Sequence, residues 1–370
     1  MSVLLKKEVF EGISPKELAE QIEAKKKCRE KLPTWFNTAN IYYPNKLHIE
    51  QTSSEITAQY KAEIINGKSL LDLTGGFGVD SFFFSEKTAC VWHCEINQKL
   101  SEIAGYNFKV LGKKNIETVT KNGFDILKES NQNFDWIYVD PSRRNEIKEK
   151  VFLLTDCIPN VPTHLTFLLE KSKHILIKTS PLLDFSIGIK ELRFVKEIHV
   201  VAVKNEVKEL LWVIEKGYSG KVHIKTINFG NSGEEIFAFY MSNEKEAVPD
   251  LGVPSTYLYE PNVAILKSGA FKIITDRFPI KKLHRHTHLY TSETLIDFPG
   301  RRFKIEEAMP FNKKTAQKLK VQKANITIRN FPKSVSNLRK QLKIKDGGAV
   351  YLFFTKDMNE NHVILRCSKV

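Results

Sequence analysis

The chain has 370 residues, 42% of them hydrophobic and 27% charged, and carries a formal net charge of +14. That length exceeds what one core ordinarily needs, so two or three domains are expected, and the composition is that of a soluble globular protein. No apolar run approaches the roughly 20 residues of a membrane span, and Met1-Ser-Val-Leu-Leu-Lys-Lys lacks the apolar core and cleavage site of a secretory signal.

Cys28, Cys90, Cys94, Cys157 and Cys367 show neither zinc-ligand spacing nor a dense disulfide layout. They read as reduced core thiols, so a cytoplasmic protein without a metal is expected. Residues 1–60 read as a helical segment with a break. Ser14-Pro-Lys-Glu-Leu is a helix start, with Ser14 as cap and Pro15 in the first turn, and Leu32-Pro33 is the stop. Trp35, Phe36, Ile41, Tyr42 and Tyr43 follow in an aromatic-rich stretch. The preferred reading is a helical piece docking on the next domain; the alternative is a platform on which bases stack. Glu50-Gln-Thr-Ser-Ser-Glu opens another helix, capped by Ser53 or Ser54.

Residues 61–217 alternate strand and helix. Strands are expected at 69–73, 91–95, 116–119, 134–140, 174–178, 194–203 and 210–215, the last as a hairpin partner. The fold class is therefore α/β: a Rossmann-like, mostly parallel open sheet with helices on both faces. Ligands of such sheets bind beyond the carboxyl ends of the strands, where Asp72, Glu95, Asp140 and Lys178 fall. The stretch Leu70–Asp80 is an apolar run, an acid, and the turn Thr74-Gly-Gly-Phe-Gly, whose glycines let backbone approach a nucleotide-type ligand. Glu95 closes the second strand where an acid accepts hydrogen bonds from ribose hydroxyls, which suits a dinucleotide or S-adenosylmethionine. The fourth strand ends in Asp140-Pro-Ser-Arg-Arg, an acid-proline suited to a nucleobase amino group.

Residues 218–254 read as an antiparallel extension and a linker, 255–298 as a small mixed unit, and 299–370 as a β-α-β-β tail. His284, His286 and His288 would share one face of a strand; without an acidic partner nearby they read as a basic surface rather than a metal site. From Arg301 to Lys345 there are 14 Lys and Arg against Glu306 and Glu307 alone, which places a surplus of 12 of the +14 charges in one segment. Such a field attracts polyanions through counterion release.

Leu71-Asp-Leu-Thr-Gly-Gly-Phe-Gly, Glu95 and Asp140-Pro-Ser-Arg together resemble a class I S-adenosylmethionine-dependent methyltransferase. With Glu50-Gln-Thr-Ser-Ser-Glu, Lys178-Thr-Ser-Pro, Asn205-Glu-Val-Lys-Glu and Tyr259-Glu-Pro-Asn, the chain is similar to a bacterial family of predicted methyltransferases with a C-terminal ferredoxin-like piece (here 255–298) and a THUMP-like domain (here 299–370). The resemblance implies S-adenosylmethionine as cofactor. Thr74, Gly75, Gly76, Phe77 and Gly78 would form its loop, and Asp72 would hold that loop or meet the cofactor amine. Glu95 would bind the ribose, Ile96 would cover the adenine, and Asn122 or Asp125 would supply the polar group beside it; spacing does not choose between these two.

The catalytic motif would be Asp140, Pro141, Ser142 and Arg143, with Asp140 orienting an amino group. Amino-group methyltransferases acting on bases often carry a second proline and an aromatic where Ser142 and Arg143 stand, so stacking would come from Arg143, Trp35 or Tyr43. RNA contacts would fall to Arg144, Lys178, Arg301, Arg302, Lys313, Lys314, Arg329, Arg339 and Lys340; Lys178 could instead pair with Glu206 or Glu209. The expected activity is methylation of a base nitrogen in structured RNA, tRNA or rRNA. The alternatives are a non-catalytic RNA-binding protein on a cofactor-binding fold, and a protein or small-molecule methyltransferase.

Overall fold

The computed structural model describes residues 14–143, 153–231, 233–312, 315, 319 and 321–370. Arg144, Lys313 and Lys314 lie outside the described residues, as does the side chain of Arg143. Two compact units are formed: one from the residues up to Lys196 with Leu211–Ser219, the other from Glu197–Leu210 with Gly220–Val370. Among the described residues no helix is long and apolar enough to cross a membrane.

The first unit opens with the helix Pro15–Lys31. Ser14 caps it, its hydroxyl accepting the Glu17 N–H at 3.1 Å, and Pro15 occupies the first turn, where a missing N–H costs nothing. Three short helices follow, Pro33–Asn37, Lys46–Gln51 and Glu55–Ile64. Trp35 is 0% exposed; its ring lies 4.9 Å from Phe82 and 6.2 Å from Phe77. Tyr43, also buried, donates its hydroxyl to the Trp35 carbonyl at 2.8 Å. These aromatics hold the helical segment against the helix Val79–Phe84, so the expectation that Trp35 or Tyr43 stacks an incoming base does not hold.

Strands β1 (Ser69–Asp72), β2 (Cys90–Cys94), β3 (Ile116–Val119) and β4 (Phe134–Val139) are followed by the two-residue pair β5 (Ser142–Arg143) and β6 (Cys157–Ile158), and then by β7 (Ser172–Thr179). The order β7-β4-β1-β2-β3 is parallel throughout. Strand β1 and most of β4 are buried on both faces, which is why they read as nearly unbroken apolar runs. Parallel register brings the carboxyl ends of all five strands to one edge. Strands β8 (Val195–Val203) and β9 (Glu206–Glu215) form the expected hairpin. Its turn residues Lys204 and Asn205 both have positive φ, 51° and 60°, as a two-residue hairpin turn requires.

In the second unit β10 (His223–Gly230) pairs antiparallel with β11 (Gly233–Tyr240) and parallel with β8. The expected linker at 243–254 is pinned down. The Glu244 carboxylate accepts the N–H groups of Lys272 and Ile273, and Asp250 and Gly252 exchange backbone hydrogen bonds with Lys282. Strands β12 (Tyr257–Pro261), β13 (Lys281–His284), β14 (Thr287–Ser292), β15 (Gly300–Pro310), β16 (Asn325–Arg329), β17 (Tyr351–Lys356) and β18 (His362–Lys369) form one sheet, in the order β13-β14-β12-β15-β18-β17-β16. The sheet curls. Three strands separate β12 from β16, yet Arg329 on β16 donates to Glu260 on β12, and Thr287 on β14 donates its hydroxyl to the Lys356 carbonyl at 3.1 Å. Leu258, Leu289, Phe303, Phe353 and Leu365 form one core cluster, and Leu338 of the helix Val335–Leu342 packs in another with Leu352, Phe354 and Ile364.

The three histidines do not share a strand face. His284 ends β13 and His288 lies in β14, with the Arg285-His286 turn between them. His284 is 3% exposed and bonds Glu360 through Nε2 at 2.7 Å, while His288 stacks on Phe271 at 3.6 Å. Burial, then the charges of Lys282 and Arg329, push His288 down to about 4. The strand expectation failed because the turn residues were read as part of the alternation.

Candidate active site

Strand β1 ends in Asp72, whose side chain is buried and accepts the Thr74 N–H at 3.0 Å and the Ser81 hydroxyl at 2.6 Å. It thus ties both ends of the glycine turn from beneath. Burial pushes this carboxyl up to about 7, against the pull of those two donors. His93, next to it on β2, is pushed down to about 4 by burial. Its imidazole fills the space under the turn: a Cβ on Gly75 would sit 2.1 Å from the ring. Gly78, at φ 85°, begins the helix Val79–Phe84 from the left-handed region, where a side chain would be strained. Phe77 points inward and is buried, so it can meet a cofactor through its backbone only.

Glu95 stands just beyond β2. Its Oε2 accepts the Gly76 N–H at 2.8 Å and its Oε1 accepts the Asn97 N–H at 2.7 Å. Each oxygen keeps a lone pair for a hydroxyl. Ile96, the next residue, is 74% exposed, an apolar side chain offered to solvent at the mouth of the site. Beyond β3, Asn122 caps the helix Gly123–Glu129 by accepting the Phe124 N–H at 3.0 Å, which leaves its amide N–H groups. Asp125, one turn in, lies 3.6 Å from Lys128. A glycine turn with no side chain over it, an acid facing it and an exposed apolar residue fit an adenosyl cofactor with its ribose on Glu95.

The turn after β4 is bound to the turn after β1. The Asp140 N–H donates to Thr74 Oγ1 at 2.8 Å, and the Leu73 N–H to the Tyr138 carbonyl at 3.0 Å. The Asp140 carboxylate is about one-third exposed, and its Oδ2 accepts from Lys178, which comes from the end of β7. Lys178 therefore meets Asp140, a partner that the sequence reading did not consider for it. Pro141 is buried and Ser142 is exposed in β5.

Sequence reasoning missed what lies under these turns. Lys61 is 0% exposed; its Nζ is 3.2 Å from Asp80 Oδ1 and 3.2 Å from the Ser53 hydroxyl. Asp80 Oδ2 accepts from Ser53 at 2.9 Å and from the Tyr138 hydroxyl at 2.8 Å. Burial pushes the Asp80 carboxyl up, but Lys61, Lys178 and those hydroxyls outweigh it and leave it below the usual range. Ser54 caps the helix Glu55–Ile64, so Ser53 is spared for this role. The signal was available: Lys61 sits with Thr57, Ala58 and Ala62 on the buried face of its helix.

The basic segment of the second unit is partly self-engaged. Arg301 and Arg329 both hold Glu260, Arg302 lies 3.2 Å from Asp297, and Arg339 bonds Asp346 and the Ala324 carbonyl. Lys340 is exposed on the helix Val335–Leu342. Among the described residues no group of three or more His, Cys, Asp or Glu could hold a metal ion.

Residues 257–299 match a ferredoxin-like domain family and residues 300–369 a THUMP domain-like family. The whole chain is similar to the crystal structure of a "putative methyltransferase" from Porphyromonas gingivalis W83, at 35% identity and a TM-score of 0.91, covering 100% of this chain and 94% of that one. The chain belongs to this methyltransferase family. As in its sequence resemblance, a mixed α/β methyltransferase fold precedes the ferredoxin-like and THUMP-like domains of the family. Parts of two further structures are similar. One is M. capricolum TrmK with S-adenosyl-homocysteine (16% identity, 44% of this chain and 70% of that one, TM-score 0.33). The other is an rRNA methylase from Streptococcus thermophilus (13%, 44% and 94%, TM-score 0.32). A comparison with curated proteins finds no match.

Proposed function

We propose that this family member is an S-adenosylmethionine-dependent methyltransferase that modifies a nitrogen of a base in structured RNA, tRNA or rRNA. The observation that carries the reading is the hydrogen bond from Asp140 N–H to Thr74 Oγ1 at 2.8 Å, which fixes the strand-end acid to the cofactor turn. When bound, S-adenosylmethionine supplies an electrophilic methyl group. The chain's part is to hold and orient. Glu95 accepts the ribose hydroxyls, Ile96 covers the adenine, and the turn Thr74–Gly78 lies along the methionine portion. Lys178 fixes Asp140 Oδ2, and Asp140 Oδ1, with no hydrogen-bond partner among the described residues, accepts an N–H of the target base. Most of the acceleration then comes from holding nitrogen and methyl in line.

The second-unit charge supports an RNA acceptor: the surplus of 12 positive charges in 301–345 suits a polyanion better than a small molecule. The burial of Trp35 and Tyr43 favours a second reading, an RNA-binding protein on a cofactor-binding fold, because neither ring is offered for stacking. Methyl transfer from labelled S-adenosylmethionine to total RNA of a strain lacking the gene, followed by nucleoside mass spectrometry, decides between them. A methylated nucleoside supports the enzyme and names the base; cofactor binding without transfer supports the second reading.

A further inference from the structure

Glu260 is the residue in the second unit that most needs an explanation. Its side chain is 4% exposed, yet it is shared by two arginines whose side chains are 40% and 36% exposed. Arg301, on β15, points Nε (2.7 Å) and Nη2 at Oε2, and Arg329, at the end of β16, points Nη2 at Oε1 at 2.6 Å. Arg329 Nη1 also donates to the Ile328 carbonyl at 2.9 Å. One carboxylate neutralises one of the two guanidiniums, so the triad keeps a net positive charge. Arg301 retains Nη1, and Arg329 retains Nε, without partners among the described residues. The buried carboxylate sets the orientation of both forks in advance, so little side-chain entropy remains to be lost when an oxyanion arrives.

We infer that Arg301 and Arg329, organised by Glu260, form a binding site for one backbone phosphodiester of RNA. The inference rests on the RNA reading proposed above and names a place where the strand is held. Guanidinium forks match the oxygens of a phosphate. A polyanion rather than a lone phosphate is the occupant because both arginines belong to the segment 301–345, with its surplus of 12 positive charges. Closing the curled sheet accounts for the bonds to Glu260, but not for two guanidiniums left 40% and 36% exposed with N–H groups still to donate.

The test is titration of the full chain with unfractionated bacterial tRNA over a range of salt. Losing one phosphate contact lowers the magnitude of the slope of log K against log salt by about 1 and weakens binding to all RNA sequences alike. Arg301→Gln and Arg329→Gln each leave a buried carboxylate less well paired and can compromise folding. The combined variant Glu260→Gln/Arg301→Gln/Arg329→Gln leaves no orphan charge, and its glutamine at 260 has the shape of the buried glutamate. Its net charge falls by one, as does that of Lys109→Gln, an exposed lysine of the first unit that serves as control. The expected result is a slope lower by about 1 for the triple variant and the parent slope for the control. A triple variant that folds and keeps the parent slope overturns the site while leaving the RNA reading intact. A parent chain that does not bind tRNA overturns both.

Discussion

The Thr74 hydroxyl accepts the Asp140 N–H at 2.8 Å, so the glycine turn after β1, the proposed cofactor loop, and the turn after β4, the proposed acceptor motif, are hydrogen-bonded to each other directly. Thr74→Val keeps the shape and loses the acceptor. We expect cofactor binding to stay within a few-fold of the parent and methyl transfer to fall by roughly a hundredfold, the scale on which a misplacement of about 1 Å acts. Thr74→Ser should restore the rate. Calorimetry with S-adenosylmethionine and single-turnover transfer to total RNA separate the two effects; equal losses in both would assign Thr74 to binding alone.

Glu95 serves two partners at once. It holds the Gly76 N–H and, in the proposed function, the ribose. Glu95→Ala should weaken S-adenosylmethionine and S-adenosyl-homocysteine by roughly 10- to 100-fold, the worth of a hydrogen bond to a charged group of about 1.5–3 kcal/mol. Unchanged calorimetric affinity would remove Glu95 from the site.

Lys61 and Asp80 form a buried pair, 3.2 Å apart. Lys61→Met removes the cation paired with the buried Asp80, leaving it the Ser53 and Tyr138 hydroxyls, and should cost about 3 kcal/mol, read from urea unfolding. Adding Asp80→Asn should recover most of that loss. A double variant no more stable than Lys61→Met would show that the pair is not what the buried lysine serves.

Asp72 and His93 give opposing pH dependences. The folded Asp72 carboxyl, at about 7, binds a proton that the unfolded chain has released above its ordinary value of 3.8, so its contribution to stability falls as pH rises from about 4 to 7. Folded His93, at about 4 against 6.5, resists a proton that the unfolded chain takes up, so its contribution is lost as pH falls through the same interval. The two slopes largely cancel between about pH 4 and 6.5. Asp72→Asn removes one of them, and the variant's stability should then rise with pH in that range more steeply than the parent's, by up to about 1.4 kcal/mol per pH unit. Urea midpoints measured at several pH values check this, and parallel curves for variant and parent would contradict it.

The sheet and its carboxyl-edge acids were legible because apolar runs ending in Asp72, Glu95 and Asp140 carry both the strand and its end. The pairing of β8 with β9 was expected from two neighbouring apolar runs, but β9 starts at Glu206 rather than at Leu210, because the polar residues 206–209 carry no apolar signal of a strand. What stayed hidden depends on distance along the chain. Nothing near Lys178 says that its partner is Asp140 on another strand, and nothing near Arg301 and Arg329 says that a single glutamate on β12 collects both. Trp35 was ambiguous because an aromatic stretch looks alike whether it packs on Phe82 or waits for a base. The histidines misled because a period of two runs on through a two-residue turn.

The curled sheet of the second unit changes what its two domain names can mean. Strand β12, from the ferredoxin-like match, pairs along its length with β15, from the THUMP-like match, and Leu258 and Leu289 share a core cluster with Phe353 and Leu365. A chain cut after Pro299 would carry a naked strand edge and half of an apolar core, the ingredients of aggregation. Neither piece is a cassette that can be lifted out and grafted elsewhere, and they should unfold in one cooperative step. A recombination event that separated them would leave two fragments with nothing to close against, so exchange of this region between proteins is possible only for the pair together.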